Sequence, residues 1–214
     1  MRHSFTTQGY GIRLRPVQLE DAPFIVWLRN LDYVRGRVGD SAEDVESQEQ
    51  WLNNYFERDG DYYFLVETLN TIPLGTYAVY NRVDTRAEIG RMIIRPEVPA
   101  IVPATVLLLD LCYGQMGITQ LRAVTVAGNS AVHSFLRKGR FKRVEVEQAN
   151  RIIGGHAINL LHYDQTAEDW RRARERGVIA AQRGESVILQ WEQSHISITR
   201  ETLRNQVGHE KGKL

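Results

Sequence analysis

Histidine and cysteine are the side chains in this sequence that titrate or react most readily near neutral pH. The chain has six histidines and one cysteine. Cys112 lies in an apolar segment with helical spacing, which predicts a packed thiol rather than a nucleophile. His133 lies on a short amphipathic segment, where it either acts as an acid or base or simply packs. The other histidines lack zinc-ligand spacing, so no metal is expected: His3, His156, His162, His195 and His209.

Residues 87–141 supply the elements that must hold any such site. The apolar run at 89–94 predicts a buried strand, which Pro96 ends. Residues 106–112 are apolar nearly all round apart from Asp110, which predicts a helix packed against a sheet.

The second half of this stretch repeats the order of strand and helix. Residues 122–126 are strand-like, and Asn129 and Ser130 after them favour a helix N-cap. Apolar residues then recur at helical spacing until Gly139 breaks the pattern. This order of elements resembles the GNAT superfamily of acyl-CoA-dependent N-acetyltransferases. The closest likeness is to the branch that acetylates ribosomal-protein N-termini and amino groups of nucleotide-linked sugars.

The clearest motif of the resemblance follows the second strand. The family usually reads N-x-x-(S/A)-I-x-x-(L/Y)-x-K-x-G-F, and this chain reads NSAVHSFLRKGRF at 129–141. Asn129, Leu136, Lys138 and Phe141 fall in place, while the glycine comes one position early and Arg140 takes its slot. On element order, the resemblance extends over roughly residues 10–170.

The resemblance implies an α/β (α+β) GNAT fold: a mixed central sheet with a splayed strand pair, flanked by helices. It also implies acetyl-CoA as cosubstrate. In the family, exposed backbone groups of the splayed strand bind the pantetheine arm. The next loop and helix N-terminus hold the pyrophosphate through N–H groups and the helix dipole. The cofactor-binding candidates are therefore Ile93, Ile94, Ala100, Ile101, Val102, Ala104, Asn129 and Lys138.

Two departures from the family pattern bear on the chemistry. The pyrophosphate loop R/Q-x-x-G-x-G/A is replaced by PAIVPA at 99–104, with Val102 and Ala104 at the glycine positions. The loop therefore lacks easy access to positive φ. Pro103 is expected at the first helical position, where its missing N–H is harmless. Leu136 stands where many relatives place a tyrosine that protonates the leaving thiolate, and leucine has no proton to give.

Glu88 and His133 are the catalytic candidates. In the family layout, Glu88 begins the strand that faces the cleft, where a carboxylate can accept the proton of the amine. Its alternative role is that of a surface carboxylate at a strand end. His133 precedes Leu136 by about one helical turn on the same face, so it either substitutes as acid or base or packs.

The segment RNLDYVR at 29–35 resembles one wall of the acceptor cleft in the sugar-nucleotide branch. Relatives often carry a histidine three residues before the tryptophan of the next helix. Here that position is Gln48, before Trp51. Trp27 and Trp51 themselves are expected to pack in the core. The acceptor-binding candidates are Arg29, Asn30 and Gln48.

Composition limits the partners and the compartment. The chain has 27 Lys and Arg against 26 Asp and Glu, so no overall charge favours nucleic acid. A single cysteine excludes an intramolecular disulfide and favours a reducing compartment. The sequence shows neither an apolar leader nor a run of about 20 apolar residues. We therefore expect a cytoplasmic protein without nucleic-acid or membrane partners.

The remaining segments predict a domain at 1–170 and a C-terminal extension at 171–214. Helices are expected after Asp21 and Asp44, and two late strands are expected around a turn at 154–155. Residues 185–198 are interpreted as an added strand or a partner-binding surface. Because the extension is apolar in part, we expect it to dock on the domain or on a second subunit of a homodimer.

The sequence leaves three functions open. The first is an acetyl-CoA-dependent transferase acting on a small-molecule amine, such as a nucleotide-linked amino sugar. The second is a transferase whose acceptor is a protein N-terminus or side chain. The third is a GNAT-like binding module without CoA chemistry, which the glycine-free loop would permit.

Overall fold

One mixed sheet runs through the residues that the computed structural model describes, which are 3–34, 42, 44–153 and 156–211. Its strands are β1 (Thr7–Gly9), β2 (Ile12–Pro16), β3 (Tyr62–Thr68), β4 (Pro73–Val83), β5 (Arg86–Ile94), β6 (Gln120–Val126), β7 (Lys142–Ile153) and β8 (His156–Thr166). They lie in the order β1-β2-β3-β4-β5-β6-β8-β7. Neighbouring strands are antiparallel, except that β5 and β6 are parallel. The predicted mixed sheet is confirmed.

Helices cover both faces of this sheet. They are α1 (Ala22–Arg29), α2 (Val45–Phe56), α3 (Ile101–Gly114), α4 (Ser130–Lys138) and α5 (Ala167–Lys211). On one face, Ile25 of α1 and Leu52 of α2 pack with Leu65 and Ala78 of the sheet. On the other face, α3 and α4 share the larger core with β5 and β6. Within the described residues, no helix is long and apolar enough to cross a membrane.

The nearly uniform apolar surface of α3 follows from its position. One side of α3 faces the sheet, and α5 packs against the other. Asp110, the polar exception in the sequence, is where α5 attaches. Its carboxylate accepts hydrogen bonds from the Trp170 indole N–H and from the Arg174 guanidinium, each at 2.8 Å. Asp110 therefore gives the otherwise apolar helix α3 a polar contact with α5.

Of the two interpretations of residues 185–198, the added strand is wrong, because these residues belong to α5, while the partner-binding surface stays a prediction. From Ala173 onward, the buried residues of the part of α5 whose side chains are described are Ala173, Ala181, Ile188 and Glu192, at intervals of four, seven or eight residues, whereas Val187 beside Ile188 is 46% exposed. This spacing is helical, although the local run of β-branched residues resembles a strand. The helix docks on the body of the chain, where Glu192 accepts the N–H of Asn70 at 3.0 Å. It also runs across residue 170, so a domain boundary there remains a prediction.

Only some of the expected helix starts and tryptophan positions agree with the structure. The Asp44 side chain caps α2 by accepting the Ser47 N–H at 2.8 Å. Asp21 precedes α1, but its carboxylate binds the Arg15 guanidinium instead. Trp27 is 42% exposed, so its predicted core position is wrong: it lies on the outer side of α1. The expected turn at 154–155 lies outside the described residues.

We predict that Ile188→Ala lowers the free energy of unfolding by about 2–4 kcal/mol, because it leaves a cavity under a docked helix. Val187→Ala, at the exposed neighbour, should change it by less than about 0.5 kcal/mol. Urea unfolding followed by circular dichroism measures both values. Equal effects for the two variants would show that α5 does not dock through Ile188.

Candidate active site

The parallel strands β5 and β6 pair over only four residues and then separate. Arg86–Ile89 of β5 lie opposite Gln120–Ala123 of β6. Beyond this point, β5 continues along β4 to Ile94, while β6 continues along β8 to Val126. The edge of β5 that faces β6 therefore has no strand partner after Ile89. The splayed strand pair predicted from the sequence is confirmed, and its fork opens a cleft.

A β-bulge in β5 lies just beyond the fork. Two residues, Arg91 and Met92, oppose the single residue Tyr77 of β4. Arg91 has a φ of 50°, in the left-handed region that a non-glycine residue rarely occupies. Gly75 allows β4 to pass close by, because a Cβ there would lie 2.2 Å from the Ile93 carbonyl oxygen. A bulge bends and twists its strand, so it accounts for the departure of β5 from β6.

The Arg91 side chain is held by a carboxylate and three aromatic rings. Its guanidinium donates to both oxygens of Asp61, at 2.7 and 3.0 Å. It also lies over the rings of Tyr80, Trp51 and Tyr63, at 4.6, 5.4 and 5.6 Å from their centres. Burial alone would lower the pKa of Arg91, but the Asp61 hydrogen bonds and charge raise it. The cation is thus fixed, and the strained backbone conformation is fixed with it.

The cleft has a volume of about 350 Å³ and mostly apolar walls. Sequence reasoning missed several of its residues, since nothing local distinguishes Tyr77, Met92, Thr105 or Phe135 from ordinary core residues. Tyr33 closes one end by donating its hydroxyl hydrogen to the Ile94 carbonyl at 2.7 Å. The lining comes from the α1–α2 connection, β4, β5, α3, β6, α4 with its N-cap, and the residue before β7: Tyr33, Val34, Tyr77, Ile89, Gly90, Arg91, Met92, Ile93, Ile94, Ile101, Thr105, Ala123, Val124, Thr125, Asn129, Ala131, Val132, Phe135, Leu136 and Phe141.

The N-terminus of α3 points into the mouth of this cleft. The helix begins at Ile101, so Pro103 occupies its third position rather than the expected first one. The N–H of Ala100 is bonded to Val98 and that of Ala104 to Ala100. Since the first turn of a helix leaves its N–H groups without intrahelical acceptors, those of Ile101 and Val102 have no bonding partner within α3. No residue from 95 to 104 has a positive φ.

The predicted cofactor-binding residues therefore fall into three groups. Ile93, Ile94, Ile101 and Asn129 line the cleft. Val102 and Lys138 line a second cavity beside it. Ala100 and Ala104 are fully buried, so any contact they make with a ligand must be through the backbone.

Glu88 lies in β5 beside the fork but outside the cleft lining. It pairs with Arg122 across the parallel strands, and its carboxylate accepts the Asn81 amide N–H at 3.0 Å. The side chain is half-buried in a smaller polar cavity of about 220 Å³. Gly90, which does line the cleft, is two residues further along the strand, or about 6–7 Å.

His133 lies behind the cleft wall, and both of its ring nitrogens are engaged. Nε2 lies 2.9 Å from the Ala127 carbonyl and Nδ1 lies 3.1 Å from the Tyr163 hydroxyl. A carbonyl only accepts, so Nε2 carries the hydrogen and, in the neutral ring, Nδ1 accepts from Tyr163. His133 is not among the residues that line the cleft. This geometry favours the packed alternative over a role in proton transfer.

The three acceptor-binding candidates also lie outside the cleft lining. The Asn30 amide donates to the Val26 carbonyl at 2.9 Å and so ends α1. Gln48 is buried on α2, with 4% of its surface exposed. Arg29 is half-buried at the end of α1. Within the described residues, no group of three or more acidic, histidine or cysteine side chains could hold a metal ion.

A forked parallel strand pair, a bulge and a free helix N-terminus together define the fold of an acyltransferase. The sequence matches the family model described as acetyltransferase (GNAT) domain over residues 12–142. The chain therefore belongs to the GNAT family and is an N-acetyltransferase. No protein with curated annotation matches the sequence.

Solved structures support the fold. A nucleotide-linked sugar GNAT named FdhC, in its apo form, is 24% identical with a TM-score of 0.68, covering 81% of this chain and 97% of its own. Spermidine N-acetyltransferase from Vibrio cholerae, in complex with CoA and spermine, is 16% identical with a TM-score of 0.69, covering 76% and 99%. A GCN5-related N-acetyltransferase from Brucella melitensis is 13% identical with a TM-score of 0.72, covering 83% and 85%.

Asn129 is the N-cap of α4, and its side-chain oxygen accepts the Val132 N–H at 3.3 Å. We predict that Asn129→Ala lowers the free energy of unfolding by about 1 kcal/mol, whereas Asn129→Ser retains a cap and costs almost nothing. Urea unfolding of both variants measures the difference. Equal losses in alanine and serine would mean that the amide nitrogen, rather than the cap, stabilises the helix.

Proposed function

We propose that the chain transfers the acetyl group of acetyl-CoA to a primary amine of a small molecule, and that the acceptor is a nucleotide-linked amino sugar. The observation that carries the proposal is the fork between β5 and β6, with the N-terminus of α3 at its mouth. A pantetheine arm contains two amide groups, and the unpartnered edge of β5 offers it backbone hydrogen bonds as a neighbouring strand would.

The pyrophosphate of the cosubstrate is assigned to the N-terminus of α3. Two N–H groups, those of Ile101 and Val102, are available to it, and the helix dipole adds a partial positive charge. Pro103 removes no useful hydrogen bond, because its position in the first turn needs no intrahelical acceptor. The absence of glycine fits as well, since no residue of this segment has a positive φ.

The transfer step needs a proton acceptor and stabilisation of an oxyanion. Glu88 takes the proton of the attacking amine, directly or through a water. Backbone N–H groups at the Arg91 bulge stabilise the negative oxygen of the tetrahedral intermediate. The nitrogen bonds to the thioester carbon, and the carbon–sulfur bond breaks. Leu136 cannot protonate the thiolate and His133 is engaged elsewhere, so solvent supplies that proton.

The sugar-nucleotide acceptor rests on the RNLDYVR segment and on the likeness to the nucleotide-linked sugar GNAT. Calorimetric titration with CoA tests the cosubstrate first, and no heat at millimolar CoA would leave a binding module without CoA chemistry. An acceptor screen that follows thiol release then compares nucleotide-linked amino sugars, polyamines and peptides. Activity confined to peptides would favour the alternative of protein acetylation.

Three further features belong to the proposal. Residues 1–170 form the transferase domain, and residues 171–214 form an extension to it. The one cysteine, Cys112, is buried and unpaired, which suits a cytoplasmic protein. The arrangement is compatible with a homodimer, which light scattering would detect.

We predict that Glu88→Gln lowers kcat by about a hundredfold or more while leaving the KM for acetyl-CoA nearly unchanged, since it removes only the proton acceptor. Glu175→Gln, an exposed change on α5, should alter neither value by more than about twofold. Steady-state thiol release measures both. A full rate in Glu88→Gln at saturating acceptor would remove Glu88 from the mechanism.

We predict that the double variant Val102→Gly with Ala104→Gly binds CoA with an affinity within about threefold of wild type, because both free N–H groups remain. Its free energy of unfolding should fall by about 2 kcal/mol, since both glycines lie in a helix. Calorimetry and urea unfolding on one preparation measure the two effects. Affinity improved by more than about tenfold would show that the phosphates need positive φ here.

A further inference from the structure

A second cavity lies directly behind the wall of the cleft. It has a volume of about 370 Å³, is bordered by α3, α4 and α5, and opens to solvent on one side. Its far wall is formed by α5, from Trp170 to Ala180, and this helix lies beyond the part of the chain that the family model matches. The cavity is therefore built by this chain's own C-terminal segment.

The chemistry of the cavity suits a hydrocarbon. Apart from Thr105, Lys138 and Arg176, its lining side chains are apolar or glycine. Thr105 donates its hydroxyl hydrogen to the Ile101 carbonyl at 2.8 Å, so its polar group is satisfied. Lys138 and Arg176 are exposed, which places their charges in water at the rim. Gly177 lets α5 pack closely on α3 beside the cavity, because a Cβ there would lie 3.2 Å from Val106.

The cavity and the cleft share part of their walls. Thr105, Phe135, Leu136 and Phe141 line both. Phe135, Leu136 and Phe141 lie at the deep end of the cleft, since β5 and β6 separate after Ile89 and Ala123, while α4 begins at the mouth with Asn129. A thioester whose phosphates lie at the N-terminus of α3 and whose arm follows β5 has its acyl group at this deep end.

We propose that the second cavity accepts the acyl chain of a donor longer than acetyl-CoA, so that the enzyme also transfers medium-chain acyl groups. The inference rests on the proposed binding of CoA in the cleft. A rotamer change of Leu136, which is flexible and far smaller than an aromatic residue, joins the two spaces. The bond changes are those of acetyl transfer: nitrogen bonds to the thioester carbon, the sulfur leaves with the bonding electrons, and solvent protonates it.

The test compares acetyl-CoA and octanoyl-CoA by calorimetry, which needs no acceptor. Wild-type protein should bind octanoyl-CoA at least about tenfold more tightly than acetyl-CoA, because several methylenes leave water. Ala173→Phe fills the cavity from α5 and should remove this preference, while changing the affinity for acetyl-CoA by no more than about twofold. Gln182→Phe, at an exposed position of α5 outside the cavity, is the matched control and should keep the preference.

Ala180→Phe fills the same cavity from its other end, so the test survives if Ala173→Phe fails to unfold cooperatively. The inference is overturned if wild type binds both donors equally, or if the filled variants keep the preference for octanoyl-CoA. If neither donor nor CoA itself binds, the proposed function fails together with it. Binding of acetyl-CoA without a gain for octanoyl-CoA defeats the acyl-chain inference alone.

Discussion

The ion pair between Arg91 and Asp61 is the interaction on which the cleft depends. It anchors a residue whose backbone is in the left-handed region, at a bulge that carries one extra residue in β5. Such a conformation persists only where the surroundings fix it, and here two hydrogen bonds and three aromatic rings do so. The bulge turns β5 away from β6. By fixing the bulge, the pairing of Arg91 with Asp61 therefore keeps this edge of β5 without a strand partner.

The start of α3 differs from the glycine-rich loops that commonly bind phosphates at a helix N-terminus. A glycine-rich loop approaches phosphates through positive φ angles. In this chain the helix begins at Ile101, immediately after a segment without positive φ, and presents its free N–H groups directly. Two prolines stiffen the approach, and Gly184 of α5 lies against both Pro99 and Pro103. Fewer donors are offered, but they are fixed before any ligand arrives.

The C-terminal helix α5 covers the apolar outer side of α3. Without α5, the outer side of α3 would leave a large apolar surface in water. With α5 present, that surface is buried, and Asp110 is bonded to Trp170 and Arg174. The packing is incomplete between α3, α4 and α5, where alanines and glycines leave a cavity.

Local patterns in the sequence were sufficient for much of the fold. The caps at Asp44 and Asn129, the buried helix at 106–112 and the forked strands depend on neighbours close in the chain or on a family resemblance. Local patterns failed where a residue's partner is distant. The sequence cannot show that Arg91 meets Asp61, that His133 is held by Tyr163, or that Trp27 faces outward. Of its two interpretations of residues 185–198, the added strand is wrong. The adjacent apolar residues 187–189 have the same character in the sequence, and only packing in the folded chain buries Ile188 and leaves its two neighbours exposed. Hydrophobic pattern and capping thus determined the elements, whereas the long-range contacts that place charge and aromatic rings beside the bulge were decided only by the tertiary structure.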